Sequence, residues 1–186
     1  LGTQIDLDGY ELQSRPASST ELKDWKTVFA FKKGMVVGAG GYLLLARDNA
    51  VLTGGAKPDH TAADFALETD GMQLRVYDKP HTLVHDAVAW GAGAKGGEGT
   101  PLAVWPAARS MERRAATAST RETMLPWAKD WLAGNDADAG DNTADFIERF
   151  TPEPQTSAMY EPACGGTCIG GKYCDYKGAG GDTCVE

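Results

Sequence analysis

Three groups of side chains in this chain are of the right types to do chemistry. The four cysteines, Cys164, Cys168, Cys174 and Cys184, crowd into one short Gly-rich stretch at the C-terminal end. An even set in so small a unit reads as two disulfides made in an oxidising compartment. Zinc is the alternative: Cys164-x3-Cys168 has knuckle-like spacing, but Cys174 and Cys184 do not form a second knuckle. The second group is acidic: Asp136, Asp138, Asp141, Asn142 and Asp145 around Gly140. Calcium takes about six to eight oxygen ligands, and such a run supplies several. An EF-hand, however, needs a ligand where Gly140 stands and a glycine where Asp141 stands, and its closing glutamate is replaced by Ile147. A solvated acidic turn is therefore the reading, with calcium at these five residues as the alternative and no other cofactor expected. The third group is His81 and His85. On a strand they would share a face but stand roughly 13 Å apart, too far for one metal ion. They read as an exposed polar face.

No nucleophile sits in a recognisable setting. There is no Gly-x-Ser-x-Gly elbow, and Gly38-Ala39-Gly40-Gly41 lacks the Lys-Ser/Thr of a phosphate loop. No enzymatic activity is expected.

The elements that must position these groups are short strands. Gly9-Tyr10-Glu11-Leu12-Gln13 alternates as a strand, and Ser14 to Thr20 reads as a loop that ends it. Trp25 to Phe31 alternates again, with Trp25, Thr27, Phe29 and Phe31 on one side. Met35-Val36-Val37 and Tyr42 to Ala46 read as a hairpin, the second arm buried on both faces. Met72 to Tyr77 and Leu83 to Trp90, joined by Asp78-Lys79-Pro80, predict an antiparallel pair. Gly91 to Gly99 predicts a mobile loop. A helical turn is expected near Ala62 to Leu67, a short helix at Thr123 to Leu132, and a final strand at Phe146 to Phe150. The expected core is Leu7, Tyr10, Leu12, Phe29, Tyr42, Leu44, Leu74, Val76, Val88 and Trp90.

Four motifs occur in order: Asp6-Leu7-Asp8-Gly9-Tyr10, Gly40-Gly41-Tyr42-Leu43-Leu44-Leu45-Ala46, Asp86-Ala87-Val88-Ala89-Trp90-Gly91 and Ser110-Met111-Glu112-Arg113. Together they resemble the lamin-tail domain, found in nuclear lamins and on many secreted bacterial proteins. The resemblance runs from Ile5 to Gln155. It implies an all-β, immunoglobulin-like β-sandwich over residues 1–150, a Pro-rich linker at 151–162 and a Cys/Gly-rich tail at 163–186. In that family a passage like Asp141-Asn142-x-x-Asp145-Phe146 is a structural loop. The two strands that usually open the family, an "ISE" strand and an "E-x-[VI]-E-[IL]-YN" strand, have no counterpart before Ile5. Either a segment upstream of Leu1 supplies them, or a partner chain or a homo-oligomer completes the sheet by β-augmentation along the edge Gly9, Tyr10, Glu11, Leu12, Gln13. The implied role is a non-catalytic structural, adhesion or assembly subunit, with an accessory module of a secreted nuclease or phosphatase as the alternative.

Bulk properties narrow the partners. A net charge of −8 argues against nucleic acid, because neutralising phosphates needs a concentrated basic surface. The short basic run Arg109, Arg113, Arg114 and Arg121 reads as a solvated face. No stretch approaches the roughly 20 apolar residues of a membrane-spanning helix. The cysteines, read as disulfides, place the protein outside the cell or on its surface. The chain begins at Leu1 without an initiator Met, as a processed chain or a fragment does.

Overall fold

The computed structural model describes residues 4–38, 40–104, 108–126, 128–158 and the backbone of 173–176 and 182–185. Its strands are β1 (Ile5–Asp6), β2 (Tyr10–Pro16), β3 (Lys26–Ala30), β4 (Val36–Val37), β5 (Leu45–Arg47), β6 (His60–Ala62), β7 (Gly71–Asp78), β8 (Leu83–Gly91), β9 (Ser110–Arg113), β10 (Phe146–Arg149), β11 (Tyr173–Tyr176) and β12 (Asp182–Val185). Among the described residues, helix is confined to α1 (Asn142–Asp145) and two single 3-10 turns. The chain is all-β.

A four-stranded antiparallel sheet in the order β3-β2-β7-β8 forms the centre. The antiparallel pair β9–β10 packs across it: Met111 and Phe146 press on the buried cluster of Met72, Trp90 and Leu102. The β7–β8 pair is the predicted hairpin, and β10 is the predicted final strand.

Several expectations need correction. Strand β2 is paired on both sides, Leu12 lying opposite Phe29 of β3 and Val76 of β7. The segment from Gly9 to Gln13 is therefore interior and offers no free edge to a partner. The strand also runs on to Pro16, because Ser14 and Arg15 find ladder partners in Leu74 and Gln73. The hairpin expected between Val37 and Tyr42 does not form. β4 pairs with β1, and β5 pairs in parallel with β6. The expected helix at Thr123 to Leu132 is a chain of turns. Ala128 N–H donates to Leu125 rather than Met124, whose carbonyl is taken by the Arg149 guanidinium at 2.7 Å. No helix forms near Ala62 to Leu67 either, where Phe65 N–H closes a single turn onto Ala62.

A bulge between Leu12 and Gln13 breaks the expected alternation of β3. Phe29 lies opposite Leu12, whereas Thr27 hydroxyl donates to Glu11 at 2.6 Å on the other face. There Trp25 is sandwiched between the Arg15 and Arg75 guanidiniums, 4.4 and 4.2 Å from its ring centre, and Arg75 also covers Tyr77 at 4.5 Å. This second face is closed by polar side chains in mutual contact.

Glu11 anchors that face. Burial raises its pKa, but donors from Lys79, Thr27 and Gln13 outweigh burial and carry it from an ordinary 4.5 down to about 2. The folded value lies below the unfolded one, so this group stabilises the fold above pH about 4.5. That contribution is lost as pH falls toward about 2. Glu11→Gln is expected to flatten the acid limb of a Tm-versus-pH curve in that window. An unchanged limb would show that Glu11 titrates alike in both states.

The core is smaller than expected. Of the ten predicted residues, Trp90 is fully buried and the other nine are only half-buried. An apolar cleft of about 290 Å³ opens beside them, lined by Leu67, Leu74, Val88, Met111 and Phe146 among others.

Candidate functional site

The acidic loop is built around Asp145 and Asn142, both buried to within 1 %. Asp141 caps α1 by accepting from Thr143 and Ala144 N–H and reaches across to Thr100 N–H at 3.0 Å. These donors, the Thr143 side chain foremost and then Thr100 N–H, hold its carboxyl far below the usual range. Asp145 accepts from Ala139 N–H at 2.8 Å and Asp141 N–H at 3.3 Å. The loop is thus folded around its own carboxylates, which receive backbone donors.

Asn142 does something the sequence did not suggest. Its Nδ2 donates to Ala87 carbonyl at 3.1 Å, and its Oδ1 accepts from Ala89 N–H at 3.0 Å and Glu98 N–H at 3.3 Å. One amide side chain thereby occupies two consecutive ladder positions of β8. Leu102 takes the next two, donating to Ala89 carbonyl and accepting from Gly91 N–H. The edge of β8 from Ala87 to Gly91 is closed. Gly97 permits this approach: a Cβ there would sit 2.5 Å from Asn142 Oδ1 at a φ of +87°. The glycine-dense loop predicted as mobile is in fact docked, with Lys95 N–H on Ala17 carbonyl and Asn142 N–H on Glu98 carbonyl.

Beside this clamp lies an ion cluster. Carboxylate oxygens of Glu98, Asp138 and Asp145 all lie within 4.8 Å of one another. Arg113 enters it, with Nη2 at 2.6 Å from Asp86 and 3.9 Å from Glu98, and Nη1 at 3.7 Å from Asp145. Burial, then the charges of Asp86 and Asp138, push the Glu98 carboxyl up, and Arg113 partly offsets them. Of the five residues considered for calcium, the structure gathers Asp138 and Asp145 and adds Glu98. Asp141 and Asn142 are committed to the cap and the clamp, and Asp136 lies exposed outside the group. A guanidinium already supplies counter-charge here, so the arrangement ties β8, β9 and the acidic loop together.

The basic run is not a solvated face. Arg109 pairs with Glu148 at 2.8 Å, Arg121 with Glu148 at 3.8 Å, and both guanidiniums stack on Phe150. Arg114 donates to Ser119 carbonyl at 3.0 Å. Arg149, 2 % exposed, pairs with Glu112 and Glu153, each at 2.7 Å. Beyond Arg149 the described part of the expected unpaired linker, residues 151–158, is tethered. Gln155 donates to Glu112 at 3.1 Å, and Ser157 hydroxyl donates to Asp59.

The histidines are not where strand spacing put them. His81 lies in the β7–β8 turn, and its Nδ1 is 2.7 Å from Asp78 Oδ2. His85 is the extra residue of a bulge, since Val76 lies opposite Asp86 and Tyr77 opposite Val84. Its Nε2 reaches the same Asp78 oxygen at 3.5 Å. Burial of Asp78 would raise its pKa, but the two imidazoles and His81 N–H hold it below the usual range.

Of the four cysteines, Cys174 and Cys184 lie directly opposite each other in β11 and β12. Cys164 and Cys168 lie outside the described residues. Comparison with protein-family models, curated proteins and solved structures finds no match for this chain.

Proposed function

We propose that this chain is a non-catalytic extracellular assembly or adhesion module, an immunoglobulin-like β-sandwich of lamin-tail type with a disulfide-linked tail. The observation that carries the reading is the asymmetry of its central sheet. The edge of β8 is closed by Asn142 and Leu102, while β3 pairs with β2 alone among the described residues. β3 also adjoins the half-buried apolar face of Leu12 and Phe29. A strand added along β3 would satisfy its unpaired backbone and cover that face. The edge for β-augmentation thus moves from β2 to its neighbour. Pairing of Arg109, Arg113 and Arg121 with carboxylates supports a protein partner over a phosphate backbone. Among the described residues no helix is long and apolar enough to cross a membrane.

The register of the tail favours a Cys174–Cys184 bridge, because residues directly opposite in antiparallel strands have Cα separations of about 4.5–5.5 Å, within disulfide range. Cys164 and Cys168 would then form the second. Sedimentation of the intact, non-reduced chain over a wide concentration range tests the assembly reading, with peptide mapping to locate the bridges. Concentration-dependent association that Val28→Pro weakens is the expected result. A monomer at every concentration, with hydrolytic turnover abolished by a point mutation, would overturn it.

A further inference from the structure

We propose that the paired guanidiniums of Arg15 and Arg75 dock an extended acidic segment of a partner protein, through carboxylates two residues apart. The site lies on the face of the central sheet opposite to the one that β9 and β10 cover. Its frame is a repeated Gln-x-Arg, with Gln13 and Arg15 on β2 and Gln73 and Arg75 on β7. The strands run antiparallel, so that Gln13 lies opposite Arg75 and Arg15 opposite Gln73. Each arginine donates its Nε to the glutamine across the ladder, at 2.9 Å for Arg15 and 2.8 Å for Arg75. Both amides are buried, and Gln73 Nε2 is spent on the Pro16, Ala17 and Ser19 carbonyls. Its Oε1 is thereby fixed toward Arg15, and Gly96 lies so close that a Cβ there would collide with it. With each Nε held and Trp25 between them, the two guanidinium carbons stand within about 9 Å of each other.

Charge decides what this frame takes. The chain carries 26 acidic and 18 basic residues, so carboxylates are in surplus. Arg109, Arg113, Arg121 and Arg149 each pair with one. Among the described residues Arg15 and Arg75 pair with none, and neighbouring Glu11 is committed to Lys79, Thr27 and Gln13. Arg15 Nη1 donates to the Glu21 carbonyl at 3.3 Å, whereas Arg75 Nη1 and Nη2 have no acceptor among the described residues. Two like charges beside one ring, with no counter-charge, are a standing cost that an incoming anion removes. The planar forks suit carboxylates, which they bind through two parallel N–H donors. On an extended chain, side chains two residues apart share a face at about 7 Å, so carboxylates so placed reach both forks. The Trp25 ring is already taken by the two guanidiniums and is not free to stack on a sugar or a base. That favours a polypeptide over an anionic glycan or a nucleic acid.

The test is binding of a blocked, dye-labelled peptide of alternating glutamate and threonine to the intact chain. Fluorescence anisotropy follows the peptide, and the Trp25 indole N–H signal in NMR follows the site. Saturable binding that shifts the Trp25 signal is expected, weakening as sodium chloride is raised. Arg15→Gln and Arg75→Gln should each weaken it by about 10-fold or more, since each removes charge-assisted hydrogen bonds. Arg75→Lys keeps the charge without the fork and should fall between. The same peptide with glutamine for glutamate should not bind. Arg75→Lys and the peptide substitutions leave a cation beside Trp25, so the answer does not depend on how well Arg75→Gln folds. Absence of saturable binding at millimolar peptide, or equal binding by the Arg15→Gln/Arg75→Gln variant or of the glutamine peptide, would overturn the proposal. Displacement of the peptide by a heparin-derived oligosaccharide at lower concentration would also overturn it and assign the face to an anionic glycan.

Discussion

Arg149→Ala is expected to remove about 3–5 kcal/mol of stability, the cost of leaving a buried charge without its partner. In a chain of this size that corresponds to a fall in Tm of roughly 6–20 °C. The guanidinium is enclosed between Glu112, Glu153 and the Met124 carbonyl. Removing it strands all three acceptors and frees the turn region that the Met124 contact holds. Burial already pushes the Glu112 carboxyl up, and the Arg149 charge is the main influence opposing it. Without the arginine the folded pKa of Glu112 rises further above the unfolded one. The folded state then binds the proton more tightly, so the deficit should shrink as pH falls and Glu112 is protonated. Urea denaturation at neutral and mildly acidic pH measures both effects. A loss below about 1 kcal/mol would show that the cluster behaves like an exposed ion pair.

Asn142→Ala is the second large effect. It leaves Ala89 N–H, Glu98 N–H and Ala87 carbonyl without the partner they share, at about 1–3 kcal/mol for each that stays buried. A total loss of roughly 3 kcal/mol is expected if water reaches some of them. The same change uncovers part of the β8 edge, so the variant should self-associate more readily than the parent. Asn142→Asp is a sharper control. It keeps the acceptor for Ala89 N–H but sets a carboxylate against Ala87 carbonyl, and should be at least as destabilising as alanine. Denaturation midpoints and light scattering read the two consequences separately. Unaltered stability in Asn142→Ala would mean that β8 is closed by something other than this amide.

What the sequence made legible was local. The β7–β8 hairpin could be read because Asp78-Lys79-Pro80 separates two alternating runs, and a tight turn forces neighbours to pair. β10 was legible as a strand in Phe146 to Phe150, although its remote partner β9 was not. The pairings that failed are remote ones. Nothing in Val36-Val37 marks it for Ile5-Asp6, nor Leu45 to Arg47 for a parallel partner fifteen residues on at His60. Bulges were equally hidden, since one extra residue at Val28 or His85 reverses the facing that period-two counting assigns. Thr123 to Leu132 misled because its apolar spacing suits a helix, while a distant arginine claims the carbonyl that helix would need. Glu98 escaped notice as a site residue, and Asn142 was read as a calcium candidate rather than as a clamp on β8, because both roles depend on two loops meeting. The run of carboxylates around them was visible, but which of them point inward was not.

The position of β2 between a near neighbour and a far one has a consequence in time. Gln13 meets Thr27 across one ladder and Arg75, 62 residues distant, across the other. At about 5–20 residues per second of synthesis, roughly 3–12 s separate the emergence of β2 from that of β7. During that interval β2 has no β7 to pair with, and a β2–β3 pair would carry an open inner side. A strand that ends in the interior of the sheet therefore waits as an edge until β7 emerges. A folding catalyst or holding partner that recognises nascent chains would find its target in the first thirty residues of this domain.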